Sequence, residues 1–202
     1  MSLVTVDSAI GARSGARERI LATAYELFTR GGIRGVGVDK IIALSGVAKA
    51  SFYRHFPSKD DLVLAVLARR EQDWTKGLVE TGARLRGTTP QGRLLAIFDV
   101  FDDWFTHRED FEACSFINVL LEMGAEHLLG RASIDYLANI RRIVRDWAKE
   151  AGLREPEQFA HSWHILMKGS IIAAVEGDTR AAHRAKQMAG WLIDHHRPQS
   201  DS

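Results

Sequence analysis

The sequence predicts an all-α protein, a small N-terminal three-helix head followed by a larger helical body, and three observations lead there. Apolar residues recur at a period of about 3.6 along most of the chain, and no stretch alternates cleanly enough to read as a strand. Breakers at Gly31-Gly32, Gly46, Pro57, Gly87, Pro90, Gly130, Gly152, Pro156 and Gly177-Asp178 cut this pattern into helix-sized pieces. With 202 residues and 46% hydrophobic content, the chain can bury a sizeable core as one domain or as a small domain fused to a larger one.

Residues 1–15 are short, mixed and uncapped, and are expected to form a mobile arm. The first helix is predicted from about Ala16 to Arg30, with Ile20, Ala24, Leu27 and Phe28 on one face, and Gly31-Gly32 stops it. A second helix covers roughly Val38 to Leu44. Ser45-Gly46-Val47 makes the turn, because glycine adopts backbone angles that are costly for a residue with a side chain. A third helix runs from about Ala48 to Arg54, and Ile20, Leu27, Phe28, Val38, Ile41, Val47 and Phe52 are expected to share one small core. The head is therefore placed at residues 16–60 and the body at 61–202.

Pro57 biases Phe56 away from helical angles, after which Ser58 can cap a fourth helix whose positive end Asp60 and Asp61 favour. That helix is expected to continue through Leu62, Ala65, Val66 and Arg69 toward Arg84. Further helices are predicted near 91–107, 110–127, 131–151, 156–176 and 179–195.

The formal net charge is only +1, but it is unevenly placed. Residues 1–60 carry nine Lys or Arg against five Asp or Glu, whereas the remainder carries 18 against 21. A basic head on a slightly acidic body fits contact with a polyanion through the head. One cysteine, Cys114, excludes an internal disulfide framework and fits a reducing compartment. No apolar run approaches the ~20 residues needed to cross a bilayer, and the N-terminus lacks a secretory pattern, so a cytoplasmic location is expected.

The segment VDKIIALSGVAKASFYRHF, residues 38–56, is the most informative in the chain. Two short helices joined by a tight glycine turn make a helix-turn-helix, whose second helix presents polar side chains to a DNA groove while its inner face stays packed. Lys49, Ala50, Ser51, Tyr53, Arg54 and His55 are placed outward, with Phe52 and Phe56 as inner anchors. Lys49 suits a guanine edge and Ser51 a less selective base or phosphate contact. Tyr53, His55 and Lys59 suit phosphates. Spacing alone also fits an ordinary surface helix, since Lys and Arg are common on surfaces.

The residues from Arg19 to Leu62 resemble the tetracycline-repressor (TetR) family. The likeness begins at Arg19-Ile20-Leu21-Ala22-Thr23-Ala24, continues through Leu27-Phe28, Gly31-Gly32, Val38 and Ile41, and closes on Ser45 through Leu62. It implies a homodimer whose third helices enter successive major grooves of a palindromic operator, with repression relieved by a small ligand. Residue by residue, it implies base contacts from Lys49 and Ser51 and phosphate contacts from Tyr53, His55 and Lys59. The chain departs from the family pattern at Gly37, where a threonine commonly caps the second helix and holds phosphate. Ala48 stands where Ser or Thr caps the third, and Ile42 replaces a small alanine. Losing such a cap costs ~0.5–2 kcal/mol, less for glycine.

Cys114-Ser115-Phe116-Ile117-Asn118 before Glu122, with Ala151-Gly152 before the last two helices, resembles one branch of that family. Five tryptophans lie outside the head, at Trp74, Trp104, Trp147, Trp163 and Trp191. With Phe98, Phe101, Phe105, Phe111, Phe116, Met123, Phe159 and Met167 they could line an apolar cavity, although for any single aromatic plain core packing is the simpler reading. Phe101, Trp104, Phe105, Cys114, Asn118, Trp163, His164 and Met167 are the candidate wall for a small apolar or aromatic ligand. Cys114 fits a small buried hydrophobe better than a sensor. His161 with His164, and Glu122 with Glu126 and His127, make no convincing metal set, no cofactor is implied, and no catalytic arrangement or phosphate loop is recognisable. Gly169, Ser170, Ala173, Ala174, Ala181, Ala182, Ala185 and Ala189, with Trp163, Leu166, Met188, Leu192 and Ile193, suit either an intrachain hairpin or a dimer seam through the last two helices. The dimer is the reading preferred. The expected function is a sequence-specific DNA-binding regulator and not an enzyme, with an activator or ligand-independent regulator as the alternative and a small helical enzyme as a distant one.

Overall fold

The structure, a computed structural model, describes residues 15–106 and 113–198. Ten α-helices and one π-helical run follow in order, and no strand occurs among the described residues. They divide into two compact units: one holds the described residues up to Arg69 together with 117–132, the other Arg70 to Phe116 and residues 133 onward.

In the first unit α1 (Ala16–Gly35), α2 (Val38–Ser45) and α3 (Lys49–His55) pack around Ile20, Ala24, Phe28, Ile41 and Phe52, all buried. Leu27, Val38 and Val47, expected in this core, are only half-buried, while Leu21, Ile33, Val36 and Phe56 complete it. The regular part of α1 ends at Gly32, where φ is 69° and ψ 169°, and a last short turn runs on to Gly35. The break expected at Gly31-Gly32 is therefore a kink, because an added turn follows it. Gly46 closes α2 with φ 64°, the left-handed conformation that makes the sharp reversal into α3. Neither α2 nor α3 has a side-chain cap, as Gly37 and Ala48 predict.

Ser58 caps α4 (Lys59–Arg70): its Oγ accepts from the Asp61 amide at 3.1 Å, while Asp61 Oδ2 accepts from the Ser58 amide at 3.0 Å. This reciprocal pair satisfies two donors that a helix start leaves open. The chain then stays helical to Arg86, but not as one α-helix. Residues Glu71–Glu80 widen into a π-helical run before α5 (Thr81–Arg86) resumes. A π-run of this length is rare, and such widenings tend to fall at functional places.

Thr89 caps α6 (Pro90–Thr106), its Oγ1 accepting from the Gly92 amide at 3.0 Å. The predicted helix 110–127 is shorter than expected. Of it, α7 covers Ser115–Met123, and residues 110–112 lie outside the described part, as do residues 1–14 of the expected arm and Phe111. Gly124 ends α7 at φ 85°, so the break falls there and not at Gly130, which belongs to α8 (Leu128–Glu150). Finally α9 (Pro156–Val175) and α10 (Ala181–His195) form a hairpin, α10 also packing on α6. The core of the second unit is strongly aromatic: Phe98, Phe101, Phe116, Trp147, Phe159 and Trp163 are all but inaccessible.

Candidate nucleic-acid interface and the body beneath it

On α3 the sequence divides its two faces cleanly. Phe52 is fully buried and Phe56 nearly so, their rings 6.2 Å apart. Tyr53 meets Phe52 edge-on at 5.3 Å, and the Arg17 guanidinium sits 5.3 Å over Phe56. These contacts fix the rotation of a helix too short to be stable alone. Lys49, Ala50, Tyr53 and Arg54 are consequently exposed, and Ser51 and His55 are half-exposed along the same edge. Lys49 Nζ lies 3.4 Å from Asp39 Oδ1 across the α2–α3 turn, with both side chains largely in solvent. Lys59 is half-exposed at the first position of α4, and Gly37 is exposed at the start of α2. An exposed face carrying Lys, Ser, Tyr, Arg and His can contact both base edges and phosphates.

One residue acts on the head in a way its sequence position does not suggest. Glu122, near the end of α7, accepts from the backbone amides of Ile33 at 2.8 Å and Arg34 at 2.6 Å. Both amides follow the Gly32 kink. The positive φ at Gly32 favours glycine, and a Cβ there would stand 3.1 Å from the Glu122 carboxylate and crowd it. The nearest signal for this role was the spacing of Glu122 after Asn118, which gives no partner 88 residues away.

In the second unit, Trp74 from the π-run lies 5.9 Å from Phe101 and 5.2 Å from Trp104, and Phe101 lies 5.6 Å from Phe105. Phe98 joins this group to Trp163, at 6.1 Å from Phe101 and 4.7 Å from Trp163. Of the residues expected to wall a pocket, Phe101, Trp104, Phe105, Trp163 and Met167 are thus buried in the aromatic core, as is Cys114. Asn118 is exposed and belongs to the first unit. An open groove of about 390 Å³ runs between α6 and α10, lined by Leu95, Phe98, Asp99, Asp102, His183 and Lys186 among others, with none of the expected wall residues in it.

Polar atoms interrupt this apolar region at two places. Glu71, 4% exposed, accepts from Asn139 Nδ2 at 2.9 Å through one carboxylate oxygen, and Arg142 in turn donates to Asn139. Its other oxygen, Thr75 Oγ1 and Trp74 Nε1 have no hydrogen-bond partner among the described residues. Tyr136 titrates above its ordinary value because it is partly buried and faces the negative charges of Glu71 and Asp135. The second place is His164, 3% exposed, whose Nδ1 lies 3.3 Å from Arg141 Nη1. Burial, reinforced by Lys168, Arg141 and His161, pushes its pKa down to about 3. No group of three or more His, Cys, Asp or Glu residues suited to a metal ion occurs among the described residues, and no described helix is long and apolar enough to cross a membrane.

The sequence model of the family described as bacterial regulatory proteins, tetR family, matches residues 20–66, which span α1 to most of α4. The transcriptional activator FasR of Mycolicibacterium smegmatis is 36% identical over 96 residues, 47% of this chain and 42% of FasR. The transcriptional repressor NemR of Escherichia coli is 27% identical over 107 residues, 53% of each chain. The chain thus aligns with only about half of each of these relatives. Its fold agrees with the crystal structure of SCO4454, a TetR-family regulator from Streptomyces coelicolor, at a TM-score of 0.81 and 26% identity, covering 90% of this chain and 95% of that one. The family model over the head and the fold shared with a TetR-family regulator both support assigning this chain to the TetR family.

Proposed function

We propose that this protein is a homodimeric repressor that holds a palindromic operator and releases it when a small apolar or aromatic molecule occupies its body. The observation that carries the reading is the outward face of α3, where Lys49, Ala50, Tyr53 and Arg54 are exposed over a buried Phe52. Lys49 and Ser51 read bases, while Tyr53, His55, Lys59 and the backbone at Gly37 hold phosphates and fix the register.

Dimerisation is supported by an apolar face left open on the last two helices. Ile165, Ile172 and Val175 on α9 and Met188 and Trp191 on α10 are exposed, Ile165 by 71% and Trp191 by 70%. A two-fold pair of chains through this face sets two α3 helices for two half-sites. A ligand that favours one arrangement of the body changes their separation, through the continuous helical stretch from α4 to α5 and through α7, whose Glu122 holds the α1 kink. Only ~1.4 kcal/mol of such coupling changes operator affinity tenfold.

Because FasR is named an activator and NemR a repressor, the sign of regulation is the part of this reading with a real competitor. Selection of bound duplexes from a random pool, followed by footprinting, tests the first part. A two-fold symmetric site with half-sites about 10 base pairs apart is expected, and enrichment of no sequence would refute sequence-specific regulation. Transcription in vitro from a promoter carrying that site then decides the sign, since repression requires output to fall when the protein is added.

A further inference from the structure

We propose that the molecule which releases this regulator carries a carboxylate on an apolar or aromatic body, and that Arg141, positioned by His164, and Lys168 hold the carboxylate. The inference rests on the ligand-responsive reading above and names the chemistry of the effector.

Arg141 projects from α8, and His164 and Lys168 lie one turn apart on α9. A guanidinium has no lone pair, so in the 3.3 Å contact between Arg141 Nη1 and His164 Nδ1 the ring nitrogen must accept. The imidazole proton then sits on Nε2. That N–H is buried on a residue only 3% exposed and finds no acceptor among the described residues. The indole N–H of the neighbouring Trp163, on a fully buried residue, is in the same position.

The charges tell the same story. Three half-exposed cations of this unit have a carboxylate: Arg93 has Glu150, Arg145 has Asp146 and Glu157, and Lys186 has Asp99 at 2.6 Å. Arg141 and Lys168, both half-buried, have none among the described residues, and their charges repel one another. Burial and Arg141 hold the Lys168 ammonium below its ordinary pKa, and Cys114 is the one group that opposes this. Two cations therefore stand together beside a buried imidazole with no anion among the described residues to satisfy them. Such a set is costly unless an acceptor enters. A carboxylate matches the two cations, since one guanidinium edge takes both oxygens and the remaining lone pairs accept from the ammonium, while the His164 ring holds the guanidinium from its Nδ1 side. Trp163, next to His164 in the chain and with its ring centroid 4.7 Å from that of Phe98, belongs to the aromatic core, which suits an apolar or aromatic remainder.

The test uses the full-length protein and three acids, benzoate, 3-phenylpropionate and octanoate, each paired with its neutral amide. Binding is read by calorimetry and by intrinsic tryptophan fluorescence, and operator release by fluorescence anisotropy of labelled duplex. At least one acid is expected to bind about tenfold tighter than its amide. Arg141→Gln and Lys168→Met should each remove that advantage while leaving amide binding and helical content unchanged, and Arg141→Lys should restore part of it. If no acid outbinds its amide, or the advantage survives both substitutions, the proposal is wrong. If both substitutions instead loosen the dimer and leave acid binding intact, the missing acceptor is an acidic side chain of a second copy, and the proposal is equally wrong. Acids that bind through Arg141 and Lys168 without releasing operator would uphold the site and refute ligand-relieved repression. Amides that release operator as well as the acids do would refute the site and uphold the release.

Discussion

Lys49 and Lys59 are separated by ten positions and, in the proposed reading, by the part of the duplex each meets. The Lys49 side chain is 67% exposed and its partner Asp39 86% exposed, so their ion pair contributes between nothing and about 1 kcal/mol and gives way readily to a base. Lys49→Ala should cut the ratio of operator to scrambled-duplex affinity about tenfold or more, the ~1–3 kcal/mol that one base contact discriminates. Lys59→Ala should weaken both duplexes alike and lower the salt slope by about one. Binding isotherms for the two duplexes at several salt concentrations check both, and equal behaviour of the two variants would undo this division of labour. The outward set was legible in the sequence because Phe52 and Phe56 fix the phase of a seven-residue helix. His164 is the opposite case. Its sequence position suggested a pocket wall, but nothing in the sequence brings Arg141 to its ring from a helix 23 residues earlier. The consequence for stability has a definite sign. With a folded pKa of about 3 against 6.5 when unfolded, the native ring stays neutral while the unfolded one takes up a proton, so stability falls as pH drops from about 6.5 toward 3. Each pH unit in that window costs at most about 1.4 kcal/mol. In His164→Gln the same pH series of urea melts should be flatter, and an unchanged slope would mean that this ring is not the group responsible.

Among the elements, those defined by local chemistry were readable and those defined by distant partners were not. The start of α4 follows from Ser58 and Asp61, three residues apart, and the α2–α3 turn from Gly46. Two other elements have no such marker. The π-run Glu71–Glu80 carries no glycine or proline at its start, and what distinguishes it is the inward turn of Glu71, Trp74 and Thr75 toward tertiary partners. Similarly, residues 117–132 group with the head, where Glu122 reaches amides at 33 and 34 and His127 lies 4.0 Å from Asp60. Two hydrogen bonds to a carboxylate are worth more than neutral ones, roughly 1.5–3 kcal/mol each. Glu122→Ala should therefore accelerate amide exchange at Ile33 and Arg34 before any other part of α1, and lower stability by a few kcal/mol. Gly32→Ala must adopt φ near 69° and crowd the same carboxylate, which adds about 1–2 kcal/mol of backbone cost. Because both changes act on one contact, the double variant should be less destabilised than the sum. Full additivity in urea melts, or unchanged exchange at Ile33, would show that Glu122 does not hold the kink.

For the whole molecule, the decisive quantity is the separation of two heads, which no single chain possesses. The small residues of the last two helices suggested a close helix contact, and they make one, but mostly within the chain: Ser170, Ala181, Ala182, Ala185 and Ala189 are buried, with α10 packed on α9 and α6. What remains open for a partner is the larger apolar set Ile165, Ile172, Val175, Met188 and Trp191. Gly169 lies exposed among them and permits close approach. A charge placed there meets solvent in the monomer and an apolar surface in the dimer, so it separates association from folding. Ile172→Glu combined with Trp191→Glu should leave the helical content unchanged while sedimentation velocity shifts from dimer to monomer at micromolar protein. Apparent thermal stability should also lose its dependence on protein concentration. Operator binding should fall far more than the interface change alone suggests. A dimer that has docked one head presents the second at an effective concentration near millimolar, an advantage of about 10²–10⁴ that a monomer lacks. The monomeric variant should therefore bind a full operator no better than an isolated half-site, with the same salt slope for both. A variant that stays dimeric would move the seam elsewhere on the body. One that becomes monomeric yet keeps full operator affinity would mean that a single α3, with the basic head behind it, does all the reading.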